Sequence, residues 1–471
     1  RMHAWLQPFL YVALRFPSLS KHMRRFFCLL VLPTIAAALA QRFVRIQGQH
    51  FVVSATNATI VLAGPNVVVK GPPYLPSVSG TTICNDVMDG NCAAKGTCKT
   101  CTTFNQADID HIKAMGWNTI RLGVAWAGAQ PRDEDALDPA FLQSLHALLN
   151  LTDHNGVNVL LDNHGDMVGS AGCGNGVPMW FQKKAAQDLI GKPLETDFPY
   201  SVVSSLRVSK LSGYAHCGSN ATKWAAHAGD PNYNLLNECC QALNSGENQA
   251  ALGWTSISQK TMNYLTESGP GRKDFVRFWT LMANAVKEHP SAIAAELLNE
   301  PMSIWRMNYF DTWRETAVAI NAIIPDMSVA LADLGEGAVL PAWAKNIGGE
   351  WIDIGLSTIE WIKASKTLFY AWHWYGDPSD WKEAIKNVKA ISSDWDVPSF
   401  ATEFMDCGLW NDLVAAEISH SYWHYSQYCN TGPSFGNRSV PDDTFGACIL
   451  GWGGGNPSKC SNLSQIAAVV V

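Results

Sequence analysis

Two glutamates, Glu300 and Glu403, lie at the ends of apolar segments typical of buried strands, AIAAELLNE and PSFATEF. A pair of carboxyl groups across a cleft can cleave a glycosidic bond, because one protonates the leaving oxygen while the other attacks the anomeric carbon. A separation of about 5 Å between the two groups leads to retention of the anomeric configuration. Pro301 disfavours helical geometry at Glu300, so we expect a strand to end there.

The elements that must position this pair alternate between short apolar runs and amphipathic, helix-like runs. A first pair of strands is predicted in HFVVSA and TIVLAG. Eight further strands follow, in NVVVK, NTIRLGV, VNVLLDNHGD, AIAAELLNEP, SVALADLG, TLFYAWHWYG, PSFATEF and SYWHYSQY. Alternation of this kind indicates a parallel sheet, and eight strands favour an α/β fold, the (β/α)8 TIM barrel, over an open doubly wound sheet. The first strand has no glycine-rich phosphate loop after it, which argues against nucleotide binding.

Polar and aromatic residues mark the C-terminal ends of these strands, where the active site of such a barrel lies. They are Lys70, Arg121, His164, Asp166, Asn299, Glu300, His373, Tyr375, Glu403 and Trp423. Glu300 and Glu403 are about three strand–helix units apart, which predicts positions on strands four and seven. Glu296 lies about 13 Å below Glu300 on the same side of an extended strand. We expect it in the barrel interior, with a buried partner and a structural role.

Three further segments are predicted around the barrel, which is assigned to residues 41–430. Residues 165–270 form a long insertion between strands three and four, and their four cysteines predict that it is stapled by disulfides. Residues 431–471 are a cysteine- and glycine-rich C-terminal loop segment. Residues 1–40 are interpreted as upstream read-through followed by a secretory signal peptide that starts at Met23. A membrane anchor is the less favoured alternative, because the apolar run is too short to span a bilayer.

The cysteines and charges also indicate a secreted protein. Twelve of the 13 cysteines follow the signal, an even number that favours disulfides over a zinc site at Cys98-Lys99-Thr100-Cys101. Five Asn-X-Ser/Thr sites fit an extracellular glycoprotein. Residues 1–40 hold five basic residues and no acid, so the rest of the chain has a formal charge of −12. This charge argues against binding to nucleic acid or anionic membranes, and we expect a monomer without stable membrane insertion.

Six motifs, in the chain order NTIRLGV, LDNHGD, LLNEP, HWY, ATEF and YW, resemble glycoside hydrolase family 5, the cellulase-type retaining barrel, over about residues 43–430. The resemblance implies that Glu300 is the general acid/base and Glu403 the nucleophile. It further implies that Asn299 binds the sugar 2-hydroxyl, while Arg121 keeps Glu403 ionised. No metal or cofactor is expected.

The same resemblance implies roles for four more side chains. Tyr375 would hydrogen-bond Glu403, His164 and His373 would line the floor of the cleft, and Trp423 would offer a flat face to the sugar. Four other tryptophans lie near predicted loop mouths, where core packing is favoured over sugar binding. They are Trp180, Trp305, Trp374 and Trp410.

Two segments resemble a narrower branch of the family, the endoglycoceramidase-related enzymes, whose members cleave sugar from ceramide. They are GPNVVVKGPPYLP and DNHGDMVGSAGCGNGVPMW, in which Lys70 and Asp166 match residues that contact the glycan. The sequence departs from the branch at Gly165, where glutamine is usual, and it ends soon after strand eight, where the branch usually carries a β-sandwich. The expected substrate is therefore a β-glucan-type or a glycolipid, glycosylceramide-like molecule.

Two other hypotheses remain beside a secreted glycosidase. One is a barrel that binds glycans without catalytic activity. Loss of either glutamate would have indicated it, and both are present. The other is a metal-dependent hydrolase built on His164, Asp166 and His373, which lacks a histidine pair at ligand spacing.

Overall fold

The computed structural model describes residues 41–69, 74–79, 84–85, 100–101, 104–165, 168–172, 176–190, 192, 194–196, 198, 200–202, 253–301, 308–332, 356–375, 380–404 and 407–423. Chain contacts divide the protein into residues 1–41 and a unit of residues 42–471, which contains every element described here. The predicted signal segment and C-terminal loop segment lie outside the described residues.

Eight parallel strands close into a barrel in sequence order, which confirms the predicted (β/α)8 architecture. A hairpin of β1 (Val44–Gln47) and β2 (His50–Val53) precedes it, and a short antiparallel pair, β4 (Cys84–Asn85) and β5 (Thr100–Cys101), lies after the first barrel strand. The barrel strands are β3 (Ala63–Val67), β6 (Thr119–Gly123), β7 (Asn158–Asp162), β8 (Ala292–Glu296), β9 (Ser328–Ala332), β10 (Leu368–Trp374), β11 (Ser399–Phe404) and β12 (Ser419–Tyr422).

Ten α-helices are described around and above this barrel. They are α1 (Gln106–Ala114), α2 (Trp126–Ala129), α3 (Pro139–Asn155), α4 (Met179–Ala186), α5 (Ser256–Thr266), α6 (Pro270–Val286), α7 (Asn308–Ile323), α8 (Leu356–Ala364), α9 (Trp381–Trp395) and α10 (Cys407–Ala415). Local signals explain helix α3: the Asp138 carboxylate accepts the N–H groups of Ala140 and Phe141, and Gly156 ends the helix at a φ of 67°.

The insertion between β7 and β8 carries helices α4 and α5. All cysteine side chains of the chain lie outside the described part of the structure, so the predicted disulfide staples remain a prediction. Among the described residues, no helix combines the length and the apolar character needed to span a bilayer.

The hairpin β1–β2 closes the N-terminal end of the barrel. Its Phe51 ring lies 5.6 Å from Phe369 and 6.1 Å from Phe400, which point inward from β10 and β11. A larger apolar cluster fills the space between the strands and the surrounding helices. The floor of the barrel is therefore a packed apolar core.

Two details of the predicted strands differ from the structure. HFVVSA pairs with residues 44–47 rather than with TIVLAG, whose Thr59 makes only an isolated bridge to Val52. The first barrel strand begins at Ala63, earlier than NVVVK. Gly64 explains that early start, because a Cβ there would lie 1.7 Å from the carbonyl oxygen of Thr119 on the next strand.

Candidate active site

Glu300 lies in a bend beyond β8, rather than at the end of a continuous strand as expected. The strand ends at Glu296, and Glu300 has a φ of 41°, a left-handed conformation that is strained for a side chain with a Cβ. The chain therefore leaves the sheet before the glutamate and turns its side chain, 22% exposed, toward the barrel mouth.

Asn163, which follows β7, fixes the backbone of this bend. Its amide nitrogen donates to the carbonyl of Leu297 at 3.2 Å, and its amide oxygen accepts the N–H of Trp126 at 3.0 Å. The backbone N–H of Asn299 donates to the carbonyl of Asn163 at 3.0 Å. A single buried amide thus connects the ends of three neighbouring strands.

A bulge places Glu403 next to His373. In the β10–β11 ladder Trp372 pairs with Ala401, yet His373 pairs with Glu403, so one extra residue of β11 is accommodated. Such a bulge re-aims the side chains that follow it. Here it brings His373 Nδ1 to 3.6 Å from Glu403 Oε2.

Arg121, fully buried on β6, contacts the nucleophile candidate directly. Its Nη1 donates to Glu403 Oε1 at 2.6 Å and to the amide oxygen of Asn66 at 2.8 Å. Its Nη2 donates to the amide oxygen of Asn299 at 2.8 Å. This last bond orients the Asn299 amide, whose Nδ2 is buried without a hydrogen-bond partner in the described part of the chain.

Two more carboxylates lie beneath Glu300 and Glu403 and contact Arg121. The Glu296 carboxylate accepts hydrogen bonds from Arg121 Nε at 2.8 Å and from Arg121 Nη2 at 3.0 Å. Arg121 is therefore the buried partner expected for this glutamate. Asp162 Oδ2 lies 3.1 Å from Nη2. Burial raises the pKa of Glu296, and the negative charge of Asp162 adds to this effect, while Arg121 and His373 oppose it.

The environment of Glu403 favours its ionised form. Burial alone would raise its pKa, but the charges of His373, Arg121 and His164 and a hydrogen bond from Tyr375 lower it to about 2. The Tyr375 hydroxyl donates to Glu403 Oε2 at 2.6 Å. Both carboxylate oxygens are therefore held by donors.

Glu300 has a different partner, the imidazole of His373. The His373 Nδ1 lies 2.9 Å from Glu300 Oε1. One oxygen of Glu300, this nitrogen and one oxygen of Glu403 all lie within 4.8 Å of one another. The two carboxyl groups therefore face each other at a separation suited to the retaining geometry, and the three donor atoms are close enough to hold a metal ion.

His164 and Trp423 lie together on the other side of Glu403. Their rings stack at a centroid distance of 5.1 Å and an angle of 16°, so one face of the Trp423 indole is covered. His164 Nδ1 contacts Asp162 Oδ2 at 2.8 Å and lies 3.8 Å from Glu403 Oε1. Asp162 thus fixes the orientation of this imidazole.

The structure brings eight of the ten predicted site residues together at the barrel mouth. The other two, Lys70 and Asp166, lie outside the described residues, as does Trp305. Trp374 and Trp410 are buried in the core. The Trp180 ring has Lys184 and Arg277 over it, at 4.8 Å and 5.6 Å, and donates its N–H to a backbone carbonyl.

Three residues of the site were not predicted from the sequence: Asn66, Asp162 and Asn163. Asp162 ends β7 and Asn163 follows it, so the signal that identified the other strand-end residues could have found them, whereas Asn66 lies within β3 and carries no such signal. Asp162 and Asn163 stand in the motif LDNHGD, of which only the histidine and the second aspartate were singled out.

Part of the chain matches the sequence model of a known family. Residues 85–195, about a quarter of the chain, match the sequence model of Cellulase (glycosyl hydrolase family 5). The chain is related to glycoside hydrolase family 5. The predicted enzyme class, a glycoside hydrolase, agrees with this match.

The relatives within family 5 carry the name of the narrower branch, which confirms the second resemblance. An endoglycoceramidase of Cyanea nozakii is 25% identical over 57% of this chain and 42% of its own length. Endoglycoceramidase I of Rhodococcus hoagii (strain 103S) is 24% identical over 85% of this chain and 72% of its own. A crystal structure of endogalactoceramidase, 14% identical, shares the fold with a TM-score of 0.50 over 82% of this chain and 74% of that one.

Proposed function

We propose that the chain is a retaining β-glycosidase that hydrolyses O-glycosidic bonds by a double displacement through Glu300 and Glu403. The observation that carries the proposal is the approach of their carboxylate oxygens to within 4.8 Å. This separation leaves room for an anomeric carbon between the two groups but no room for a water, which favours the retaining over the inverting route.

In the first step the Glu300 carboxyl donates its proton to the glycosidic oxygen. The ionised Glu403 carboxylate forms a bond to the anomeric carbon as the bond to the leaving oxygen breaks. Arg121 and Tyr375 support the ionised state of Glu403 before the attack. The products of this step are the released alcohol and a glycosyl ester on Glu403.

In the second step the Glu300 carboxylate takes a proton from a water molecule. The water oxygen attacks the anomeric carbon and displaces Glu403, so the sugar leaves with its original configuration and both carboxyl groups return to their starting states. The partial exposure of Glu300 supports this role, because water must reach it between the two steps.

Asn299 is proposed to bind the sugar 2-hydroxyl with the amide nitrogen that has no protein partner in the described structure. Arg121 fixes the other end of the amide, so Nδ2 is oriented before the substrate arrives. A contact of this kind strengthens in the oxocarbenium-like transition state. Lys70, Asp166, His164 and Trp423 are proposed as further glycan contacts.

The proposed substrate is a glycolipid in which the sugar is β-linked to ceramide. The names of the relatives, endoglycoceramidase and endogalactoceramidase, support this class over β-glucans. We also propose that the protein is a monomer that is secreted and disulfide-bonded. Its signal-like leader and the even number of cysteines after that leader, twelve, support secretion and disulfide bonding.

The test incubates the protein with labelled glucosylceramide, a ganglioside and mixed β-glucans, beside a Glu403→Gln control. We expect the wild type to cleave glycolipid with retention, seen by NMR as first formation of the β-anomer, and the control to be inactive. Inversion would contradict the assignment of the two glutamates. Equal inactivity of both proteins on every substrate would favour the silent glycan-binding barrel.

A further inference from the structure

The atoms proposed for catalysis also have the arrangement of a metal-binding site. His373 Nδ1 lies 2.9 Å from Glu300 Oε1 and 3.6 Å from Glu403 Oε2. Each of the three side chains offers one donor atom within 4.8 Å of the other two. One imidazole and two carboxylates are a donor set that suits zinc and its neighbours in the first transition row.

The separations fit a tetrahedral ion. Bonds of about 2.0–2.2 Å to nitrogen and oxygen place two ligand atoms about 3.3–3.6 Å apart. The distance from His373 to Glu403, 3.6 Å, lies at the upper limit of this range, and the distance to Glu300, 2.9 Å, lies below it. Rotation of the partly exposed Glu300 carboxyl can lengthen this distance and shorten the one between the two glutamates. Tyr375 donates to Glu403 Oε2, but a carboxylate oxygen has a second lone pair for an ion.

The charge of the surroundings favours a cation. Three carboxyl groups, those of Asp162, Glu296 and Glu403, contact the guanidinium of Arg121. A fourth, that of Glu300, lies close to Glu403. Arg121 contacts Oε1 of Glu403 and leaves Oε2 on the side of the imidazole. An excess of carboxylates over guanidinium groups at a buried site attracts positive charge, whether protons or metal ions.

We propose that Glu300, His373 and Glu403 form a binding site for a divalent transition-metal ion such as Zn²⁺, and that the bound ion excludes the sugar. An ion on these atoms occupies the lone pairs needed for proton transfer and for attack on the anomeric carbon. The ion is therefore a competitive inhibitor rather than a cofactor. The site uses the residues of the proposed function but needs no catalytic activity to exist.

The test is calorimetric titration of Zn²⁺ into the full chain and into three variants. Glu300→Gln and His373→Gln each remove one ligand at nearly constant volume. The matched control is His146→Asn, because His146 Nδ1 and His289 Nε2, 2.8 Å apart, form another imidazole pair at the opposite end of β8. We expect one strong site in the wild type and in the control, and at least about tenfold weaker binding in both ligand variants.

Loss of affinity in the two ligand variants alone supports the site, whether or not any glycoside is hydrolysed. Equal affinity in all four proteins, as expected of zinc held by cysteines, overturns it. No strong binding to the wild type, or a loss of affinity in His146→Asn, also overturns it. Where the wild type hydrolyses a fluorogenic β-glycoside, Zn²⁺ should raise KM without lowering kcat, and a fall in kcat at constant KM contradicts competition.

Discussion

Arg121 divides the polar centre of the barrel into two layers, with Glu403 above it and Glu296 below. Glu296 accepts two hydrogen bonds from the Arg121 guanidinium in a fork-like contact. Glu403 and Asn299 accept further hydrogen bonds from the same group. A lysine could supply the charge but not this planar set of donors. A buried ion cluster contributes little net stability, so its value lies in holding the nucleophile in place.

Tyr375→Phe tests how Glu403 is kept ionised. The change removes a hydrogen bond to the charged form, which raises the pKa of Glu403 from about 2. The acidic limb of the kcat/KM profile should therefore move to higher pH, and kcat/KM at its maximum should fall by about 10- to 100-fold. Thermal unfolding of the variant provides the control for folding. An acidic limb that stays in place would contradict this role of the hydroxyl.

At the residue scale, the sequence predicted most side chains of the candidate active site, because polar residues are conspicuous at the ends of apolar strands. Arg121, Glu403 and Tyr375 were expected to touch, and they do. The positive φ of Glu300 could not be predicted, since it depends on bonds that Asn163 makes from a neighbouring strand.

At the scale of elements, the hairpin β1–β2 acts as the floor of the barrel. Phe51→Ala should lower the free energy of unfolding by about 3–5 kcal/mol, because the ring is buried against Phe369 and Phe400. Denaturant titration measures this loss. His50→Ala, at an exposed position of the same strand, should change it by less than about 0.5 kcal/mol. Equal effects of both changes would mean that the hairpin does not close the barrel.

Strand β12 and helix α10 enclose a histidine that makes folding sensitive to acid. Burial, only partly opposed by the carbonyl of Ile418, lowers the pKa of His420 from 6.5 to about 4. The unfolded chain therefore binds a proton more readily than the folded chain between these values. The contribution of His420 to the free energy of unfolding should fall by about 3 kcal/mol as the pH drops through that window, and this contribution should not change further below it.

Urea titrations from about pH 7 to about pH 4 measure this slope, and His420→Phe is the matched variant, since it keeps a ring against Trp410. The slope should be absent from the variant. The contribution of Glu403, whose pKa is lowered to about 2, appears in a lower window, as the pH falls from 4.5. An unchanged slope in the variant would assign the acid sensitivity to other groups.

The pairing of elements was predicted less well than their existence. The predicted strands overlap all eight barrel strands, and burial on both faces gives most of them a largely apolar sequence; β12, which reads SHSY, is an exception. The strand that pairs with HFVVSA, residues 44–47, was not predicted, and Thr59 of the predicted strand TIVLAG makes an isolated bridge to Val52. The bulge at Glu403 depends on the neighbouring strand and leaves no local signal.

At the scale of the whole molecule, the proposal of a secreted protein has a direct chemical readout. Twelve cysteines follow the predicted signal, so a mature chain with every cysteine in a disulfide has no free thiol. Thiol titration of the secreted, denatured protein should therefore detect no free thiol before reduction and twelve free thiols after it. N-terminal sequencing of the same sample should begin near Gln41. A mature protein with several free thiols would contradict the stapled insertion.

The position of the hairpin has a practical consequence for attaching the protein to a solid support. Its turn at Gly48 and Gln49 joins β1 and β2 at the end of the barrel opposite to Glu300 and Glu403. Gln49 is exposed, so a cysteine or tag placed there is accessible to a coupling reagent. Molecules coupled through this turn would all present their open ends to the solution, where a bulky micelle or vesicle can approach.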